Sequence, residues 1–157
     1  MNKKMYNTNM KLEKIDYKII NFLKKITVPS ARIALFIIFF YFGFLKLIGL
    51  SPASELVYSL FNQTINFMDF TIFYILFSLF ECLIGILFLI KGAERIVFPL
   101  LLFHIVTTTL PLFILPEAIW QQKFIPTLEG QYIIKNIVII AAAIGLVSHI
   151  HPLSEKN

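Results

Sequence analysis

An all-α integral membrane bundle of four helices, with both termini cytoplasmic, is the fold this sequence predicts. Three observations predict it. The 157 residues are 58% hydrophobic and 15% charged, with a mean hydropathy of +0.80, whereas a soluble domain is about 45–50% apolar and roughly 25% charged. Four apolar stretches, at 33–50, 70–90, 96–115 and 132–150, hold 18, 21, 20 and 19 residues. About 20 residues carry a helix across a hydrocarbon core roughly 30 Å thick. Eight of the fourteen Lys/Arg fall in the first 32 residues, the asymmetry that marks a cytoplasmic end. Together these exclude disorder, a nucleic-acid module and an ordinary cytosolic enzyme. The single cysteine, Cys82, excludes an internal disulfide and any cysteine-rich metal site.

The elements follow in order. Residues 1–30 form a basic amphipathic cytoplasmic segment. Within 12–26, Leu12, Ile15, Ile19, Phe22, Leu23 and Ile26 share one helical face, and Lys11, Lys14, Lys18, Lys24 and Lys25 occupy much of the rest. A helix of this kind suits the interface of an anionic leaflet. Thr27-Val28-Pro29-Ser30 should break it, with Ser30 capping the first span. The second domain, 31–150, holds the four spans, and 151–157 is a cytoplasmic tail. The stretches are too long for strands and lack a period of two. A helix satisfies its own backbone in lipid.

Beyond the first span, Ser51-Pro52 reads as a helix start, opening a short interfacial stretch with Leu56, Leu60 and Phe61. The turn at 91–95, with Lys91 and Arg95, makes spans two and three an antiparallel pair. Trp120 and Phe124 suit a headgroup-level loop. Pro126-Thr127 opens the fourth helix, with Glu129 near its positive N-terminus. Cytoplasmic segments then carry eleven Lys/Arg and the external loops one, Lys123. No cleavable signal sequence is evident.

Each span carries a polar residue that lipid disfavours: Lys46, Glu81, His104 and Lys135. Such a side chain at mid-bilayer costs from about 2.5 to more than 10 kcal/mol, so it seldom faces lipid. At 1.5 Å per residue, Glu81 lies roughly 16 Å deep and His104 roughly 12 Å. The two lysines sit toward the outer side. Stripes of small or polar neighbours point inward: Tyr74, Ser78, Glu81, Cys82 and Gly85 on span two, and His104, Thr107, Thr108 and Pro111 on span three. Pro111 should loosen the third helix near its outer end. The pattern describes an outward-facing polar pocket of Lys46, Glu81, His104, Lys135, Glu129, Tyr74 and Thr108. Glu81 and His104 are the candidate proton-transfer groups. The bland counterpart is an ion pair and a hydrogen-bonded histidine that fix helix register. One imidazole and one carboxylate fall short of a metal site, and none is expected. His149 and His151 suit a helix C-terminus, and Cys82 reads as a packing residue.

The stretch Tyr41-Phe42-Gly43-Phe44-Leu45-Lys46-Leu47 before Gly49-Leu50-Ser51-Pro52, with Glu81 and Gly85 on span two, resembles the DoxX-like membrane proteins. Pro126-Thr127-Leu128-Glu129-Gly130-Gln131-Tyr132-Ile133-Ile134-Lys135-Asn136 is similar to the start of that group's last helix. It also resembles the related family that contains a reactive-chlorine-resistance inner-membrane protein. The likeness spans roughly residues 30–150. It implies a four-helix protein of the bacterial cytoplasmic membrane, linked to quinone-dependent redox chemistry or oxidative-stress defence. Lys46, Glu81, Lys135 and Glu129 are its matching positions. On this reading the lysines bind quinone oxygens, and Glu81 and His104 relay protons. A redox partner protein or diffusible reductant must supply electrons. The competing expectations are a non-enzymatic scaffold or assembly subunit and a small proton-coupled transporter, which four short spans would support only as a homodimer. Apart from such proteins the partner is the lipid bilayer, with no nucleic acid.

Overall fold

The computed structural model describes residues 3–65 and 67–150, without the side chains at positions 3–9 and 11. The tail 151–157, with His151, lies outside the described residues. The described residues are about 80% helical. Its elements run α1 (Lys3–Leu47), α2 (Ser54–Thr64), α3 (Phe70–Leu89), α4 (Glu94–Thr109), α5 (Pro111–Ile114), α6 (Pro116–Ile119), β1 (Trp120–Gln122), β2 (Ile125–Pro126), α7 (Leu128–Ile134) and α8 (Asn136–Val147). Four helical segments are long and apolar enough to cross a membrane: Leu12–Leu47, Phe70–Leu89, Glu94–Ile114 and Leu128–Val147. This is an all-α bundle of the membrane-spanning kind.

Two boundaries differ from those expected. α1 runs as one helix of 45 residues through Pro29, so 27–30 is not a break and Ser30 is interior rather than a cap. Helical turns on both sides outweigh one proline's penalty of about 3 kcal/mol. The exposed Thr27 hydroxyl folds back on its own helix and donates to the Leu23 carbonyl at 2.7 Å. α2 begins at Ser54, not at Ser51-Pro52. Ser51 instead braces the preceding turn, its Oγ accepting from the Ala53 amide at 3.3 Å.

Other ends match local chemistry. Asp69 caps α3, accepting from the Thr71 amide at 2.8 Å. Hydrogen bonding by Thr71, through its side chain and then its amide, holds the Asp69 carboxyl below the usual carboxylate range. The cap's contribution is therefore present above the ordinary Asp pKa and is lost as pH falls through the depressed one. Thr127 caps α7 by accepting from the Gly130 amide at 3.2 Å. α4 stops at Thr109, two residues before Pro111, which starts α5 and is where the third helix is expected to loosen. The loop with Trp120 and Phe124 contains a small antiparallel hairpin that periodicity did not reveal. Phe124 takes a left-handed φ of 63° at its turn and stands exposed. The fourth span is divided at Lys135 into α7 and α8.

The core joins Leu35 and Phe39 of α1, Ile84 and Phe88 of α3, Val97 and Leu101 of α4, and Ala143 and Leu146 of α8. α1 and α3 make the most extensive contact in the bundle. Two glycines permit it. A Cβ on Gly43 would lie 2.8 Å from Cys82 Sγ and 2.9 Å from the Ser78 carbonyl oxygen, and one on Gly85 would lie 2.7 Å from the Phe40 amide nitrogen. In lipid, such backbone approach is what holds helices together. Gly85→Ala must push Phe40 backbone away, so we expect a loss of about 1–3 kcal/mol in unfolding from detergent micelles. Gly145→Ala, whose added Cβ meets nothing within 4 Å, is the matched control and should be close to neutral.

Candidate functional site

Between α1, α3 and α4 lies a cluster of buried ionisable groups. Lys46 lies in the last turn of α1, Glu81 sits midway along α3, and His104 lies about a turn and a half before the end of α4. They are 8%, 5% and 5% exposed. Lys46 Nζ donates to Glu81 Oε2 at 2.5 Å, and His104 Nε2 lies 3.4 Å from the other carboxylate oxygen, Oε1. One carboxylate thus joins three helices. Both Glu81 oxygens are engaged, as a buried carboxylate requires.

Aromatic rings enclose the imidazole. Phe77 stacks on His104 at 5.3 Å between ring centroids, and Phe39 meets it edge-on at 5.4 Å. Phe80 is tilted at 6.2 Å, and Lys46 Nζ lies 5.8 Å from the Phe77 ring. Two polar atoms in this region carry no hydrogen bond: His104 Nδ1 and the Tyr74 hydroxyl, the latter with the Ser51 side chain close by. Buried polar groups are nearly always paired. These two leave hydrogen-bonding capacity unspent beside a charged pair.

The structure brings only some of the expected residues together. Lys46, Glu81 and His104 meet; Tyr74 is half-buried one turn from Ser78. Thr108 faces a second junction, where its hydroxyl donates to the His104 and Ile105 carbonyls, and the Asn136 amide approaches it at 3.5 Å. Lys135 does not join: it is exposed, with Nζ 5.0 Å from the centroid of the exposed Tyr132 ring. Glu129 is exposed as well. The arrangement is thus a closed cluster with one lysine instead of an open pocket with two. Two open surface hollows lie elsewhere, one against Glu13, Lys14, Tyr17 and Lys18 and the other against Ser54, Glu55, Tyr58, Ser59 and Phe70. Among the described residues no three His, Cys, Asp or Glu side chains converge on a metal position.

A second buried pair escaped the sequence reading. Arg32 of α1 pairs with Glu94 in the first turn of α4. The same guanidinium donates to the Phe88 carbonyl at 3.0 Å and the Ile90 carbonyl at 3.3 Å, which close α3. Glu94 lies in the 91–95 turn and Arg32 at the end of the basic N-terminal segment, both at the margins of apolar stretches. The available signal was an acid at a helix N-terminus next to an apolar stretch. Cys82 packs in the α1–α3 seam, its Sγ 3.7 Å from the Phe40 carbonyl oxygen. No family model, curated protein or solved structure matches this chain.

Proposed function

We propose that this chain is a DoxX-like protein of the bacterial cytoplasmic membrane, with both termini inside, that acts as a quinone-linked redox or oxidative-stress component. The first-helix and last-helix motifs and the Lys/Arg asymmetry support that placement. The basic amphipathic part of α1 then lies on the cytoplasmic side. One observation carries the functional reading: a buried imidazole with an unpartnered Nδ1 stands against a lysine–carboxylate pair inside apolar walls. Ionisable groups at such depth serve chemistry more often than packing.

The donor set suits a quinone. Lys46 and the free Tyr74 hydroxyl can donate to carbonyl oxygens, and His104 can donate or accept at Nδ1. A bound quinone would supply two-electron, two-proton chemistry, its electrons coming from a partner protein or a diffusible reductant. Within the chain, Glu81 holds Lys46 and His104 at one point, so a proton can pass between carboxylate and imidazole across 3.4 Å. Phe39, Phe77 and Phe80 exclude water from that point.

The closure of the cluster favours a second reading, a scaffold in which Glu81 fixes three helices. One experiment separates them. Wild type, Glu81→Gln and His104→Phe are purified in mild detergent, and the extract is examined for quinone by mass spectrometry. The phenylalanine keeps the ring packing, so a folded His104→Phe protein is expected. Stoichiometric quinone in wild type and its loss from folded His104→Phe is the outcome expected. Wild type carrying bulk lipid alone, with poor folding of Glu81→Gln, would leave the scaffold reading standing and remove the redox one.

A further inference from the structure

α1 is too long for a single crossing. Its 45 residues extend about 67 Å at 1.5 Å per residue, against a hydrocarbon core of roughly 30 Å. The surplus is the N-terminal arm. Leu12, Ile15, Ile19 and Phe22 on it are 52–60% exposed, and with Leu23 and Ile26 they form an apolar arc about 100° wide. Lys14, Lys18 and Lys25 fall within about 40° of one another along one edge of this arc, counting 100° per residue. All three are exposed. An apolar arc of this size that the protein leaves uncovered is an interaction surface.

The arm ends at a defined point. Val28 packs on the bundle core, and Arg32 is tied to Glu94 and to the carbonyls that close α3. Between the free arm and this clamp stands Pro29, which has no amide hydrogen to give the Lys25 carbonyl. Bending is easiest there. We infer that α1 is hinged at Pro29 and that its arm docks, apolar arc inward, on the anionic phospholipid surface bordering the span. Charge decides the occupant. The lysine edge meets phosphates while the arc enters the acyl boundary, as amphipathic interfacial helices do. A second copy of the arm would instead bring two lysine edges together, with Glu13 and Asp16 as the arm's only acids.

The inference rests on the cytoplasmic placement proposed above, and the two can fail separately. In a Cys82→Ala background, single cysteines at Phe22 and at Tyr17 on the opposite side carry an environment-sensitive fluorophore. The full chain is placed in nanodiscs of phosphatidylcholine alone or with about a third phosphatidylglycerol. The Phe22 probe should report an apolar setting only with phosphatidylglycerol, and the Tyr17 probe should report water in both. Converting Lys14, Lys18 and Lys25 to Gln should lower the docked-to-free ratio about a hundredfold, at about fivefold for each lysine. Pro29→Ala should weaken docking with the lysines intact. Equal burial in both lipids, water at Phe22 in both, or energy transfer between two chains sharing a disc would each overturn the inference. Labelling of the same cysteines in whole cells by an impermeant thiol reagent would refute the cytoplasmic placement alone.

Discussion

Lys46→Met should destabilise the bundle by about 3–5 kcal/mol, the usual cost of leaving a buried charge without its partner. Glu81 would then lie 5% exposed, keeping only the 3.4 Å approach of His104. Thermal or chemical unfolding in micelles reads the loss. Adding Glu81→Met to Lys46→Met should restore most of it, because two apolar chains of similar volume replace the pair with no charge left over. Recovery should fall short of complete, since His104 loses its carboxylate neighbour at the same step. A single variant as stable as wild type would mean that the pair holds nothing together.

Arg32→Met is expected to cost a similar amount, about 3–5 kcal/mol, at the other end of the bundle. It strands the buried Glu94 and removes the donor that serves the Phe88 and Ile90 carbonyls. Arg32→Lys should fall between the two, because a single ammonium keeps the charge but cannot reproduce the planar fork that bridges acid and carbonyls. Lys135→Met supplies the contrast. That lysine is exposed and only leans over Tyr132, so its loss should stay within about 0.5 kcal/mol. Parallel melts of the four proteins decide the matter, and equal losses at Arg32 and Lys135 would contradict it.

Much of the candidate site was legible because membranes make the rules strict. A charged residue within an apolar stretch must face protein, so Lys46, Glu81 and His104 declared themselves. Small residues at helical spacing, Ser78, Cys82 and Gly85, marked the inward side of α3, and all are buried. The same logic misjudged Lys135, since lipid exposure near a helix division is tolerable when a long side chain can reach past its own backbone. It missed Arg32–Glu94 because both residues lie at the margins of apolar stretches, where a charge is unremarkable until its partner is known.

By itself the sequence determined the fold class, the four apolar segments, the opening of the last helix at Pro126-Thr127, and which side of α3 turns inward. These depend on composition and on residues within a turn or so of each other, and a local rule reads them. The tertiary structure alone decided that α1 continues through Pro29 and that Lys46 takes Glu81. It also decided that Arg32 clamps the α3–α4 turn and that Lys135 stands apart. The pairings depend on where helices distant in sequence come to rest, and that of Lys46 with Glu81 on Gly43 and Gly85 admitting α3 against α1. Helical periodicity fixes a side chain's rotation about its own axis and carries no information about the neighbouring axis.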